Sequence, residues 1–292
     1  RPQSKLAVLL QRLNLLNYKN YGTITVSFEH KFNLINGLNG SGKTNLIDSI
    51  HYLCLCKSYF TRSDNNVVKH GEPYFRVDGF FEIDGKPTQI TGKITGVANS
   101  AGTGVKKEFL RDGEPYDRLS DHIGAIPVVM IAPGDIAIIN DGSEERRRFL
   151  DTAIAQVNRE YLTRLVHYNK LLLQRNALLK QNLVLGHLDT TLMEVLNNQL
   201  AIDGDYIHQE RKIYLEQFSK VFGEHYYQIS GENELGEVIY LSKKKKKSHL
   251  ELFAASKRED IAAGRTTSGI HKDDLRLTVN THPVRETGSQ GQ

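Results

Sequence analysis

The chain has 292 residues, 39% of them hydrophobic and 25% charged, with a formal net charge of +4. That length holds two domains, or one large domain with an inserted lobe, and the composition is ordinary for a globular protein. No apolar run approaches the roughly 18 residues of a membrane-spanning helix, and the mild basicity permits nucleic-acid binding without requiring it.

The opening segment, Arg1 to Gln11, is basic and then apolar, without the length or small-residue cleavage site of a signal peptide. Two cysteines occur, Cys54 and Cys56, both on one expected helix and pointing away from each other. That predicts no disulfide and a reduced, cytoplasmic setting. None of the 11 histidines forms H-E-x-x-H, so no structural metal is expected.

Leu13 to Leu16 reads as a first strand, and Ile24, Val26 and Phe28 alternate with polar residues as a second. Phe32 to Asn36, a short apolar run, reads as a buried third strand. It leads into Gly37-Leu38-Asn39-Gly40-Ser41-Gly42-Lys43-Thr44, a full G-x-x-x-x-G-K-[ST] phosphate-binding loop. Glycines let such a backbone turn its N–H groups inward around phosphate oxygens. Lys43 can reach the β- and γ-phosphates, and the Thr44 hydroxyl can ligate Mg²⁺. Leu46, Ile47, Ile50, Leu53 and Cys54 follow at helical spacing, so a helix would aim its N-terminus at the same anion.

Lys57 to Gly71 reads as a polar loop near the phosphates. Its Arg62 is a solvated loop residue, or alternatively a contact to nucleotide or a partner subunit. From Phe75 to Arg111 the pattern is an antiparallel meander, with hairpin signals at Asp84-Gly85 and Asp112-Gly113. Pro127 to Ile131 reads as another buried strand, broken by Pro133-Gly134-Asp135. Ser143, followed by Glu144 and Glu145, predicts a helix start. Leu150, Ile154, Val157, Tyr161, Leu165, Tyr168 and Leu172 continue that helix, and Gln181 to His187 reads as a turn. A second helical run reaches about Val221, giving an antiparallel pair. Then come β-like sequence from Ser230 to Leu241, five lysines at Lys243 to Lys247, a helix from Leu250 to Ala263 and a strand at Leu275, Leu277 and Val279. The lysine run reads as a solvated loop, with non-specific phosphate contact as the lesser reading.

Five spaced motifs carry a family resemblance. Leu13 to Tyr21 is similar to the opening strand of the RecF family of DNA-repair ATPases, relatives of SMC-type heads. Asn39 to Leu46 has its phosphate-loop form. Pro133 to Asp135 with Glu145-Arg146-Arg147-Arg148-Phe149-Leu150-Asp151 resembles its entry to a helical lobe. Gly269-Ile270-His271-Lys272-Asp273-Asp274-Leu275 resembles its G-x-H-[RK]-D-D-L segment. The terminal Ser289-Gln290-Gly291-Gln292 resembles the signature motif of ABC-type ATPases in the family's own form.

The resemblance implies an α/β fold: a P-loop ABC-type ATPase head with an antiparallel β-meander and an inserted α-helical lobe. The expected organisation is 1–142 for the first part of the ATPase domain, 143–228 for the lobe and 229–292 for a return to the ATPase domain. The implied ligands are ATP and Mg²⁺. Gly37, Asn39, Gly40, Ser41, Gly42, Lys43, Thr44 and Asn45 would bind nucleotide, Lys43 would stabilise transferring phosphate and Thr44 would hold the metal. Ser289, Gln290, Gly291 and Gln292 would act across an ATP-dependent homodimer. The implied function is to clamp duplex DNA at single-strand gaps and, with RecO- and RecR-type proteins, to promote recombinase loading, with slow DNA-dependent ATP hydrolysis and no membrane partner. Candidate DNA contacts are Lys106, Lys107, Arg146, Arg147 and Arg148.

The family's acidic Walker B strand follows the signature, and no such strand lies between Thr44 and Gln292. A chain of this extent alone is expected to bind nucleotide poorly and hydrolyse it hardly at all. Two other functions are weighed. A transporter ATPase subunit would carry Leu-Ser-Gly-Gly-Gln, which the residues before Gly291 do not match. A structural SMC-like head would need helices longer than Ser143 to Val221 provides.

Overall fold

The computed structural model describes residues 7–29, 32–96, 105–244 and 247–287. The signature residues Ser289 to Gln292 lie outside the described residues. The chain divides into two compact units between Met130 and Ile131.

The first unit is a six-stranded antiparallel sheet with one helix on its inner face. Its elements are β1 (Val8–Leu16), β2 (Thr23–Ser27), α1 (Lys43–Leu55), β3 (Tyr74–Ile83), β4 (Lys86–Thr95), β5 (Lys106–Arg111) and β6 (Glu114–Pro115). The strand order is β2-β1-β3-β4-β5-β6. Both Asp-Gly signals are tight hairpins: Asp84 and Gly85 have φ of 50° and 75°, Asp112 and Gly113 of 52° and 89°. Those left-handed pairs match the twist of the flanking strands. Every second residue of β1, β3 and β4 points inward, so Leu13, Leu15, Phe75, Val77, Ile90 and Ile94 form one apolar face. Tyr52 and Leu53 of α1 pack on that face, with Tyr52 edge-on to Phe75 at 5.2 Å and stacked on Phe109 at 5.7 Å. The aromatic geometry holds α1 in place, and α1 carries the phosphate loop at its N-terminus.

Two expected strands are corrected. Phe32 to Asn36 and Pro127 to Ile131 are not strands, and Phe32 and Leu34 are each 90% exposed, Val129 86%. A buried strand needs neighbours to take its N–H and C=O groups. Among the described residues, no strand pairs with either run.

The second unit holds α2 (Ala137–Asn140), α3 (Ser143–Ala155), α4 (Arg159–Leu185), α5 (Thr190–Ile229), β7 (Gly236–Leu241), α6 (His249–Ala263), β8 (Asp274–Val279), β9 (His282–Pro283) and α7 (Val284–Thr287). The helix expected to run on from Ser143 is instead two. Asn158 breaks it by capping α4, its Oδ1 accepting the Tyr161 amide at 2.9 Å. The cap of α3 is Gly142 rather than Ser143. Helix α5 runs past Val221 to Ile229, started by Asp189, which accepts the Leu192 amide. Ser248 and Glu251 form a capping box on α6. Strands β7-β8-β9 form a small antiparallel sheet. Of the span 229–292, expected to return to the ATPase domain, Val238, Phe253, Ile270 and Leu275 share a core with Leu150, Tyr168 and Leu200 of the helices.

Candidate nucleotide site

The loop before α1 has the backbone that its glycines allow. Gly37, Gly40 and Gly42 have φ of 150°, 80° and 102°, all in the left-handed half that side chains disfavour. At Gly42 a Cβ would also collide with the side-chain amide of Asn20. The helix begins at Lys43, and the Leu46 amide donates to the Gly42 carbonyl at 3.0 Å as its first turn. Lys43 Nζ folds over the loop and donates to the carbonyls of Gly37 and Leu38, both at 2.8 Å. It has no carboxylate partner among the described residues. Asn39, Gly40, Ser41 and Thr44 are exposed, so the loop is open to an anion.

Four consecutive residues after β1 grip this loop and its helix, and sequence reasoning had placed none of them there. Tyr21 Oη donates to the Gly42 carbonyl at 3.1 Å. Asn20 Nδ2 donates to the Ser41 carbonyl at 3.2 Å, and its Oδ1 accepts from Asn45 Nδ2 at 2.7 Å. Lys19 Nζ pairs with Asp48 at 2.7 Å, and Tyr18 Oη donates to the same carboxylate at 2.7 Å. Asp48 is fully buried on α1 and also accepts from Ser58 Oγ at 2.8 Å and the Tyr59 amide at 2.7 Å. Burial alone would raise its pKa; the donors, Lys19 first, outweigh burial and hold the carboxyl below its usual range. The signal that could have found it is an acid among the residues on the apolar side of a helix, four after Thr44. Arg62 lies exposed on the following segment. Cys54 and Cys56 are buried, and burial pushes both thiols up to about 12, so neither is a reactive thiolate.

The candidate DNA contacts fall into different settings. Lys106 is 69% exposed and pairs with Glu108 at 2.6 Å. Lys107 binds Asp64 at 3.0 Å and lies over the Tyr52 ring. Arg146 is buried, with Nε and Nη2 on the two Asp274 oxygens at 2.6 and 3.1 Å and Nη1 on the Asp141 carbonyl. Arg147 donates to Ser143 Oγ and to the Asp273 carbonyl, both at 2.6 Å. Arg148 is 53% exposed and pairs with Glu145 one helical turn away.

The Gly269–Leu275 motif is an internal joint rather than an open surface. Gly269 has φ of 127°, and a Cβ there would sit 2.6 Å from the Tyr168 hydroxyl. His271 bonds that hydroxyl at 3.1 Å and the Thr266 carbonyl at 3.2 Å. Burial drives its pKa down to about 4. Arg211, fully buried, donates to both Asp151 oxygens, to the Tyr161 hydroxyl and to the Ile270 carbonyl. Asp273 accepts from Tyr240 Oη at 2.5 Å.

No described helix is long and apolar enough to cross a membrane. Residues 9–83 match the family described as RecF/RecN/SMC N terminal domain. A DNA replication and repair protein RecF from Flavobacterium johnsoniae is 40% identical over 97% of this chain and 77% of its own length. The RecF of Parabacteroides distasonis is 39% identical over 98% and 75%. A solved structure of the recombination mediator protein RecF with ATP, from the RecFOR pathway, covers all of this chain and 79% of its own. It superposes with a TM-score of 0.89 at 27% identity. The fold is therefore that of an α/β ABC-type ATPase head, and neither the transporter subunit nor the structural SMC head is favoured. At this identity and coverage, the chain belongs to the RecF family of DNA replication and repair proteins.

Proposed function

We propose that this protein is an ATP-gated DNA-binding protein of recombinational repair. The observation that carries this reading is the phosphate loop. Three left-handed glycines, a helix N-terminus and a lysine held, among the described residues, by two carbonyls make a cradle suited to a polyphosphate. The solved relative named above has ATP bound, which supports the same ligand here.

In this reading the amides of Gly40 to Thr44 hold phosphate oxygens, and Lys43 exchanges its two carbonyl partners for them. The exposed Thr44 hydroxyl would ligate Mg²⁺, which supplies neutralisation of the phosphate charge. Ser289, Gln290, Gly291 and Gln292 would reach the nucleotide of a second protomer, so ATP would order a homodimer. The dimer would bind duplex and gapped DNA through phosphates and work with RecO- and RecR-type proteins, in keeping with the RecFOR pathway of the solved relative. Exposed Lys106 and Arg148 fit phosphate contact better than buried Arg146.

The test is fluorescence anisotropy on labelled gapped duplex DNA, with and without MgATP, for the protein and its Lys43→Ala variant. ATP should tighten binding in the first and not in the second. DNA binding indifferent to both ATP and Lys43 would refute the reading.

A further inference from the structure

The turn between β1 and β2 touches the outside of the phosphate loop, and its own geometry is costly. Asn17 and Lys19 both have left-handed backbones, with φ of 53° and 50°. Non-glycine residues hold such angles only where surrounding contacts impose them. Here the Asn17 amide donates to the Gly22 carbonyl at 2.6 Å and the Lys19 amide to the Val67 carbonyl at 2.7 Å. The side chains of Tyr18 and Lys19 are both tied to Asp48. The next two side chains, Asn20 and Tyr21, hold the carbonyls of Ser41 and Gly42.

In a trans peptide the N–H points opposite to the C=O. Holding the Ser41 carbonyl outward therefore turns the Gly42 N–H the other way, and holding the Gly42 carbonyl does the same for the Lys43 N–H. These are two of the amides assigned above to phosphate.

We propose that Asp48 is a positioning residue of the nucleotide site: it fixes the 17–22 turn, and through Asn20 and Tyr21 it aims the Gly42 and Lys43 amides into the phosphate cradle. This rests on the nucleotide reading above. Asp48 itself touches no ligand in this account. Its carboxylate joins the turn after β1, α1 and the Ser58–Tyr59 segment at one point, and its charge matters because Lys19 is largely covered, at 13% exposure.

The test compares Asp48→Asn, Asn20→Ala/Tyr21→Phe and the three substitutions combined. Asparagine keeps the size of Asp48 and can still bond Tyr18 and Ser58, but it loses the ion pair. The readouts are fluorescent-ATP affinity, melting temperature and the ¹⁵N–¹H resonances of Gly42 and Lys43 in nucleotide-free protein. Asp48→Asn should weaken ATP about tenfold and shift or broaden both resonances, a smaller loss than the roughly hundredfold that a full 1 Å misplacement of a positioning group can cost. In the Asn20→Ala/Tyr21→Phe background it should add less than about twofold, because both act through one path. A lowered melting temperature with unchanged ATP affinity and unchanged resonances would overturn the proposal. So would effects that multiply in the combined variant. Shifted resonances in a protein that binds no ATP even unaltered would support the positioning of the loop amides by Asp48 and count against the nucleotide reading instead.

Discussion

Lys43 of the phosphate loop and the buried arginines of the second unit are held in opposite ways. In the first unit Lys43 is held by two backbone carbonyls and faces no carboxylate among the described residues. In the second, Arg211 sits on Asp151, Arg175 on Asp260 at 2.8 Å and Arg146 on Asp274, each cation matched by an acid. Carbonyl dipoles orient a cation without cancelling its charge, so Lys43 stays responsive to an incoming anion. A carboxylate cancels the charge, so the lobe's arginines act as internal braces. Arginine count alone therefore misleads about where an acidic ligand goes.

Breaking a brace should have the largest effect. Arg211→Met leaves Asp151 and Asp273 facing a neutral side chain in the core. Loss of one partner of a buried pair costs about 3–5 kcal/mol, which urea denaturation followed by circular dichroism would measure. Arg146→Ala should behave in the same way, to a degree set by its Asp274 pair.

Acid comes next. His271 is buried and neutral, with its pKa driven down to about 4 from the ordinary imidazole value. As pH falls below about 6.5, the unfolded chain takes up a proton that the folded one refuses, so stability drops through that window. The loss approaches about 3 kcal/mol near pH 4. Denaturation midpoints at pH 7 and pH 5 should therefore differ in the parent protein, and less in His271→Gln.

Least affected in stability should be the exposed pairs. Arg148→Ala and Lys106→Ala should each change unfolding free energy by no more than about 0.5 kcal/mol. If either touches DNA phosphate, the slope of log affinity against log salt should fall by about one. An unchanged slope would remove that residue from the DNA surface.

Much of this was legible in the sequence where the signal is local. The phosphate loop declared itself through glycine and lysine spacing, the hairpins through Asp84-Gly85 and Asp112-Gly113, and the lobe through its helical apolar period. What escaped depends on partners distant in sequence. Phe32 to Asn36 looks like a strand because its apolar content is read without asking which strand lies beside it. Asn158 looks like another polar helical residue until its cap bond is seen. Asn20 and Tyr21 lie 21 residues from the carbonyls they hold. Arg146 and Arg148 read alike in sequence, and only the fold separates a braced arginine from an exposed one.

The most direct test of the contrast is the ATP dissociation constant of Lys43→Ala, measured with a fluorescent nucleotide alongside its melting temperature. The account predicts binding about a hundredfold weaker, as loss of a charge-assisted contact implies, with melting nearly unchanged because no carboxylate is left unpaired. Unchanged affinity, or weakened binding only in a protein that has itself lost stability, would contradict it.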